Sequence, residues 1–369
     1  MKLRPVSRTA IGIDLGRHTI KAAQLQLRGG HYRLRAMAML PRPQADQDPC
    51  PGDALALKKV LRRQGFRGNR IVVAAPAKAL LPAAIELPAK VTGAPADQIV
   101  RMELSRLHGA APDSFEMVYW DLRAPDSPKP VVHTLALACP HEAANNLLDL
   151  FERLGFRVEA LDVRGAAAAR ACGPLVLPAP QITAILDLGW RSTSLLFLCG
   201  ESLIYERSLD GAPMAELTAR LGELFGIPSE SANQILSTIG PGVQEPTGSF
   251  DRESIEAIGK HLKIHFDRLL DGLKVPLSYA KHQFPGDGVK RMLLIGGGAV
   301  VPDLAAYFEA RLGFEVRRAD PGSLLESPPE LLVKAGNPAM TVAVGLAQFG
   351  RVADAPGRVG GTRRESADA

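Results

Sequence analysis

Residues 11–28, IGIDLGRHTIKAAQLQLR, and residues 182–199, ITAILDLGWRSTSLLFLC, follow one plan. Each has an apolar run closing on Asp-Leu-Gly, a short polar tip and a second apolar run. Asp and Gly at the end of an apolar run mark a tight turn, so each segment predicts a β-hairpin. Two readings stand. Asp-Leu-Gly is ordinary turn chemistry that two segments can share by coincidence; or the chain is built twice from one unit, with Asp14 and Asp187 in equivalent places. Its 369 residues exceed the length at which one core usually stops growing, so two lobes are expected.

A hydrophobic fraction of 46% with 22% charged residues belongs to a folded globular chain. The net charge of +5 is dispersed rather than gathered with aromatics into a stripe, so no nucleic-acid partner is expected. Cys50, Cys139, Cys172 and Cys199 are far apart and form no CxxC pair, as free thiols in a reducing compartment would be. No apolar run approaches the roughly 18 residues of a membrane span. The opening MKLRPVSRTA has no long apolar stretch behind it. A cytoplasmic protein is expected.

Along the chain, residues 9–40 predict three strands, DALALKKVLRRQG a helix closed by Gly65, and RIVVAAP a buried strand. Residues 85–155 read as a compact βαββα-like inserted subdomain with an exposed connection at APDSPKPV. RVEALDVRGAAAARACG reads as a strand and an Ala-rich helix. From the second hairpin at 181 the pattern turns helical through VPLSYAKHQF. Then VKRMLLIGGGAVVPDLAAYFEARLGFEV gives strand, glycine triplet, helix and strand. PAMTVAVGLAQFG is a short apolar helix, and residues 351–369 are expected to be disordered.

Three places carry chemistry. Backbone amides at a hairpin tip, with a lysine nearby, can hold phosphates, and Asp14, Gly16 and Lys21 fit that role. Two carboxylates at strand ends, Asp14 and Asp187, can position a hydrated magnesium ion through its waters. Gly296, Gly297 and Gly298 either let a ring or ribose rest on bare backbone or simply form a tight β-to-α turn. Neither GxGxxG nor a P-loop is present. His261 and His265 share a helix face without a third ligand, His141-Glu142 lacks the second histidine of HExxH, and KKVLRRQG reads as a solvated helix face.

In order and spacing, IGIDLGRHTIKAAQL, LPAAIELP, LFERLGFRVEALDV, AILDLGWRSTSLLFL and LLIGGGAVVPDLAAYFEARLGFEV resemble the actin-like ATPase superfamily. Within it they are most similar to the PilM family of type IV pilus assembly, related to FtsA. The resemblance implies an α/β, two-lobed fold of duplicated ribonuclease H-like domains with a small inserted α+β subdomain. The first lobe would run over 1–180, with the insert at about 85–155, and the second over 181–350. It further implies ATP with magnesium, held by Asp14, Gly16, Arg17 and Lys21, by Asp187, Gly189 and Thr193, and by Gly296 to Gly298, with Asp14 and Asp187 facing the metal through water. No catalytic residue is assigned, and any ATPase activity would be weak. The implied partner is the cytoplasmic N-terminus of a PilN-like inner-membrane protein, which would make the chain peripheral to that membrane; self-association stays open.

The chain departs from the family pattern at several places. Arg17-His18 and Trp190-Arg191 stand at the hairpin tips, where the family has small residues. In the helix around Ala232, Asn233 and Leu236 replace a Glu and a Lys, and Arg164 replaces a common glutamate. An arginine cannot serve as a general base. Two other functions share the hairpins: a sugar-kinase-like phosphotransferase, which needs an acidic base, and an FtsA-like membrane filament, which needs a C-terminal amphipathic helix.

Overall fold

Both Asp-Leu-Gly segments form antiparallel hairpins, with Asp14 opposite Lys21 in the first and Asp187 opposite Ser194 in the second. The computed structural model describes residues 7–42, 47–88, 94–122, 131–209, 211–242, 250–284 and 288–350. The tail from 351 and most of the connection expected at APDSPKPV lie outside the described residues. The first part of the chain runs β1 (Ser7–Arg8), β2 (Ile11–Leu15), β3 (Thr19–Arg28), β4 (His31–Pro41), α1 (Pro51–Arg63) and β5 (Arg70–Ala74). It continues with β6 (Leu81–Pro88), α2 (Ala94–His108), β7 (Phe115–Leu122), β8 (Val131–Pro140), α3 (His141–Glu152), β9 (Arg157–Asp162) and α4 (Arg164–Cys172). The second hairpin opens β10 (Ile182–Leu188), β11 (Thr193–Cys199), β12 (Ser202–Leu209), α5 (Met214–Phe225), α6 (Ser229–Thr238) and α7 (Arg252–Gln283). The chain closes with β13 (Val289–Ile295), α8 (Leu304–Leu312), β14 (Glu315–Arg318), α9 (Pro321–Leu324), α10 (Leu332–Ala335) and α11 (Thr341–Ala347).

The first sheet has the order β4-β3-β2-β5-β9, with the short β1 also paired to β3, and the second has β12-β11-β10-β13-β14. The directions match as well. Each hairpin and its third strand are antiparallel, and the two outer strands beyond it are parallel to the first. β12, which completes the correspondence, is a strand the sequence reading passed over. It follows a turn at Gly200 (φ +56°), as β4 follows Gly29 and Gly30 (φ +61° and +91°).

Both faces of each sheet are covered, which is why the strands read as continuous apolar runs. Ile11, Ile13, Ile71 and Val73 face a core shared with Leu57 of α1 and with Leu147 and Phe151 of α3. The helix grouped with the insert in the sequence therefore packs on the first sheet. Ile182, Ala184 and Leu186 face α5 to α8 through residues such as Leu217, Leu262 and Phe308. On the inner sides, Val72 and Ala74 of the first sheet and Ile185, Leu293 and Ile295 of the second meet in one cluster with α4 and α11.

The alanines of α4, Gly345 of α11 and Gly12 of β2 permit that meeting. A Cβ on Gly345 would collide with the Ala167 carbonyl, and one on Gly12 with the backbone of α11 at Ala343. The third sheet, β6-β8-β7, is antiparallel, and α2 covers it through Val100 and Leu104 against Ile85, Leu87 and Ala136.

Candidate functional site

Side-chain alternation puts Asp14 on the same side of β2 as Gly12, and Asp187 on the same side of β10 as Ile185. Both carboxylates therefore face the seam between the sheets, at the ends of the two equivalent strands. Both are buried. Between them lies Arg164, the first residue of α4. Its guanidinium donates from Nη1 to Asp14 Oδ1 and from Nη2 to Asp187 Oδ2, the latter at 3.0 Å. Lys21, across the hairpin, places Nζ 3.3 Å from Asp14 Oδ2. The Arg164 side chain keeps 31% of its surface exposed, against 1% for Asp14.

Burial alone would push the Asp14 carboxyl up, but the charges and hydrogen bonds of Arg164 and Lys21 outweigh it and hold the group below the usual carboxylate range. For Arg164 burial works against the charge, and the two aspartates outweigh it, raising its pKa. Glu206 of β12 borders the same corner. A Cβ on Gly165 would fall 2.6 Å from both of its carboxylate oxygens. Burial pushes the Glu206 carboxyl up, and the Arg164 charge pulls it partly back.

These residues do not fit a magnesium ion between the two aspartates. Arg164 and Lys21 already set two positive charges against Asp14 and Asp187, and Glu206, the third carboxyl at this corner, is pushed toward its neutral form by burial, so a divalent ion would meet the repulsion of two cations at the seam. Magnesium also demands near-octahedral oxygen ligation at about 2.0–2.1 Å with several waters kept, and the carboxylate oxygens facing the seam are taken by N–H donors. Asp187 Oδ1 and Thr193 Oγ1 are buried without a hydrogen-bond partner among the described residues. However, Asp187 Oδ1 lies against Gly296, where a Cβ would overlap it.

The hairpin tips meet. His18 of the first and Trp190 of the second stack with ring centroids 4.2 Å apart and planes 18° from parallel. Asn233 of α6 places Nδ2 3.4 Å from His18 Nε2, and its Oδ1 lies 3.1 Å from the Thr218 hydroxyl of α5. Arg17 instead donates to the Gln47 carbonyl at 2.9 Å and to Asp48 at 2.8 Å. Behind this tip, the buried Arg42 donates to Asp53 and to carbonyls of residues 16, 17, 47 and 48.

The glycines serve the chain itself. A Cβ on Gly16 would come within 2.6 Å of Lys21 Nζ, and one on Gly189 within 2.5 Å of the Ser192 carbonyl. Gly296 adopts φ +84° and packs on Leu188 and Asp187, and Gly298 would press on Met214 and Leu188; only Gly297 faces open space. A short 3₁₀ turn, Gly297–Val300, takes in two of the three glycines, and α8 follows from Leu304. Thus Asp14, Lys21 and Asp187 are brought together, while Arg17 turns toward the segment before α1. His18, Trp190 and Glu206 were not among the expected site residues. Their signal was the coincidence of bulky residues at both tips with an arginine at 164. His261 and His265 gather no metal set: among the described residues there is no group of three His, Cys, Asp or Glu able to hold an ion.

Two sheets of one strand order, joined at a seam lined by equivalent aspartates, define the actin-like fold. It is shared with ethanolamine utilization protein EutJ from Carboxydothermus hydrogenoformans (14% identity, 95% of this chain and 92% of that one, TM-score 0.53). The ADP-bound structure of MreB5 of Spiroplasma citri shares it too (14%, 93% and 96%, TM-score 0.52). A PilM-PilN type IV pilus biogenesis complex is more similar, with a TM-score of 0.75 at 20% identity over 92% of this chain and 97% of that one. The family model of type IV pilus assembly protein PilM matches residues 12–349, and the chain belongs to that family. Among the described residues no helix is long and apolar enough to cross a membrane.

Proposed function

We propose that this chain is a cytoplasmic actin-like scaffold of a type IV pilus or related secretion assembly, binding the cytoplasmic N-terminus of a PilN-like inner-membrane protein. The observation that carries this reading is family membership over 12–349, together with the likeness to a PilM-PilN complex across nearly the whole chain. On this reading residues 1–180 and 181–350 are the two lobes, the block at about 85–155 is the inserted subdomain, and the chain sits at the inner membrane through its partner.

Nucleotide has a smaller place in this reading. MreB5 binds ADP in a structure of similar fold. If ATP is held here, the Gly296–Gly298 turn and the hairpins around Gly16 and Gly189 are the segments that would touch it. No hydrolytic step is assigned, because Asp14 and Asp187 are both ion-paired to Arg164, which competes with the use of either as a general base. The same pairing disfavours a sugar-kinase-like phosphotransferase, which needs such a base.

The test is calorimetry of the full chain against a synthetic N-terminal peptide of a PilN-like inner-membrane protein from the same organism, with a scrambled peptide as control. Saturable binding to the authentic peptide alone is expected. No binding to that peptide, nor to the intact membrane protein in detergent, would sink the scaffold reading.

A further inference from the structure

Arg164 stands where the sequence reading placed a hydrated magnesium ion. Its planar fork matches two carboxylates at once, a geometry that a point-charge ammonium cannot reproduce. One carboxylate comes from the end of β2 and the other from the end of β10, so the guanidinium is a tie between the two sheets. Arginine stays protonated throughout the accessible pH range, so this tie is released only where the carboxylates themselves take up protons, below the usual carboxylate range for Asp14. A second tie lies beyond the first, where His18 and Trp190 close in van der Waals contact between the tips. Asn233 and Thr218 extend that contact into α6 and α5. A phosphate chain passing between the hairpins would have to part these rings and displace the guanidinium from both aspartates.

We propose that Arg164 is a built-in cation that, with the His18–Trp190 stack, holds the two lobes closed in place of a magnesium-nucleotide complex, so that this chain keeps its closed form without one. The proposal does not depend on which partner the chain binds. It makes the cleft a fixed structural joint rather than a ligand site, and it assigns the bulky tips and the arginine to one device.

The experiment follows Trp190 in the full chain carrying Trp120→Phe, which leaves a single tryptophan. Iodide quenching and thermal melting are measured with no addition, with Mg²⁺ alone and with Mg·ATP. In the parent chain Trp190 is expected to be protected, with neither its quenching nor the Tm moved by Mg²⁺ or Mg·ATP. In Arg164→Ala, two carboxylates are left facing each other across the seam. Quenching is expected to rise and Tm to fall, and Mg²⁺ alone should restore several degrees of Tm. A rise in Tm of the parent chain with Mg·ATP would overturn the proposal, as would quenching in Arg164→Ala equal to that of the parent. Should Arg164→Ala fail to fold, Arg164→Lys keeps the charge but loses the fork. Quenching between the parent and the unfolded chain is then expected, and protection equal to the parent would overturn the claim that the fork closes the seam.

Discussion

His265, on the inner face of α7, is 7% exposed and packs edge-on against Phe266, with ring centroids 5.3 Å apart. Burial, helped by the charges of Arg268 and Arg220 and opposed by Glu216, pushes its pKa down from 6.5 to about 4. The folded chain therefore keeps this imidazole neutral over a range in which the unfolded chain takes up a proton. Stability from this residue is complete above pH 6.5 and is lost as pH falls from there toward 4. Between pH 7 and pH 5 the loss is expected to be about 2 kcal/mol. Urea denaturation at the two pH values checks it: His265→Leu should remove that part of the difference, and an unchanged difference would refute the assignment. Asp14 acts in a lower window, its contribution being lost only as pH drops below the ordinary carboxylate range. At this scale the sequence showed which residues were unusual, Arg164 among them, but not that its two partners are the aspartates themselves. Residues 14, 164 and 187 are brought together by three separate elements, and no local spacing encodes such a meeting.

The elements themselves were largely legible, because hairpin turns, helix caps and apolar periodicity are local signals. Where reading failed, the reason was tertiary. α3 has the same apolar spacing whichever sheet it covers, and β12 is half-exposed at a sheet edge, so its pattern is weak. The helix pair α4 and α11 shows the reverse, since its composition is explained only by its packing. Gly345 meets the Ala167 carbonyl, and Gly12 meets the backbone of α11. Gly345→Ala and Gly12→Ala are each expected to cost about 3 kcal/mol or more, because the obstruction is backbone that cannot swing aside. Gly297→Ala, with nothing within 4 Å of the added carbon, should change stability by less than about 1 kcal/mol. Denaturant midpoints of the three variants decide this, and equal effects would refute it.

Across the whole molecule, the inner cluster belongs to both sheets: Val72 and Ala74 from one, Ile185, Leu196 and Leu293 from the other, with Val342 and Leu346 between. A core held in common couples the two halves, so they are expected to unfold in one transition. The two tryptophans allow a direct check, since Trp120 lies on β7 and packs toward this cluster while Trp190 reports the second hairpin. Single-tryptophan chains, Trp120→Phe and Trp190→Phe, should show coincident midpoints in urea; separated midpoints would mean that the lobes unfold independently. The doubled strand order was implicit in the repeated Asp-Leu-Gly motif, whereas the shared core was not, because it depends on the last helix turning back to the first sheet. That return also bears on how the protein is made. The inner face of the first sheet is completed by α11, the last helix described, so a chain emerging from the ribosome holds its N-terminal half with Gly12, Ala23 and Leu25 uncovered until α11 has been synthesised. Whatever shields that surface in the interval, a chaperone or the nascent chain's own collapse, is as much a condition for reaching this fold as the contacts in its finished form.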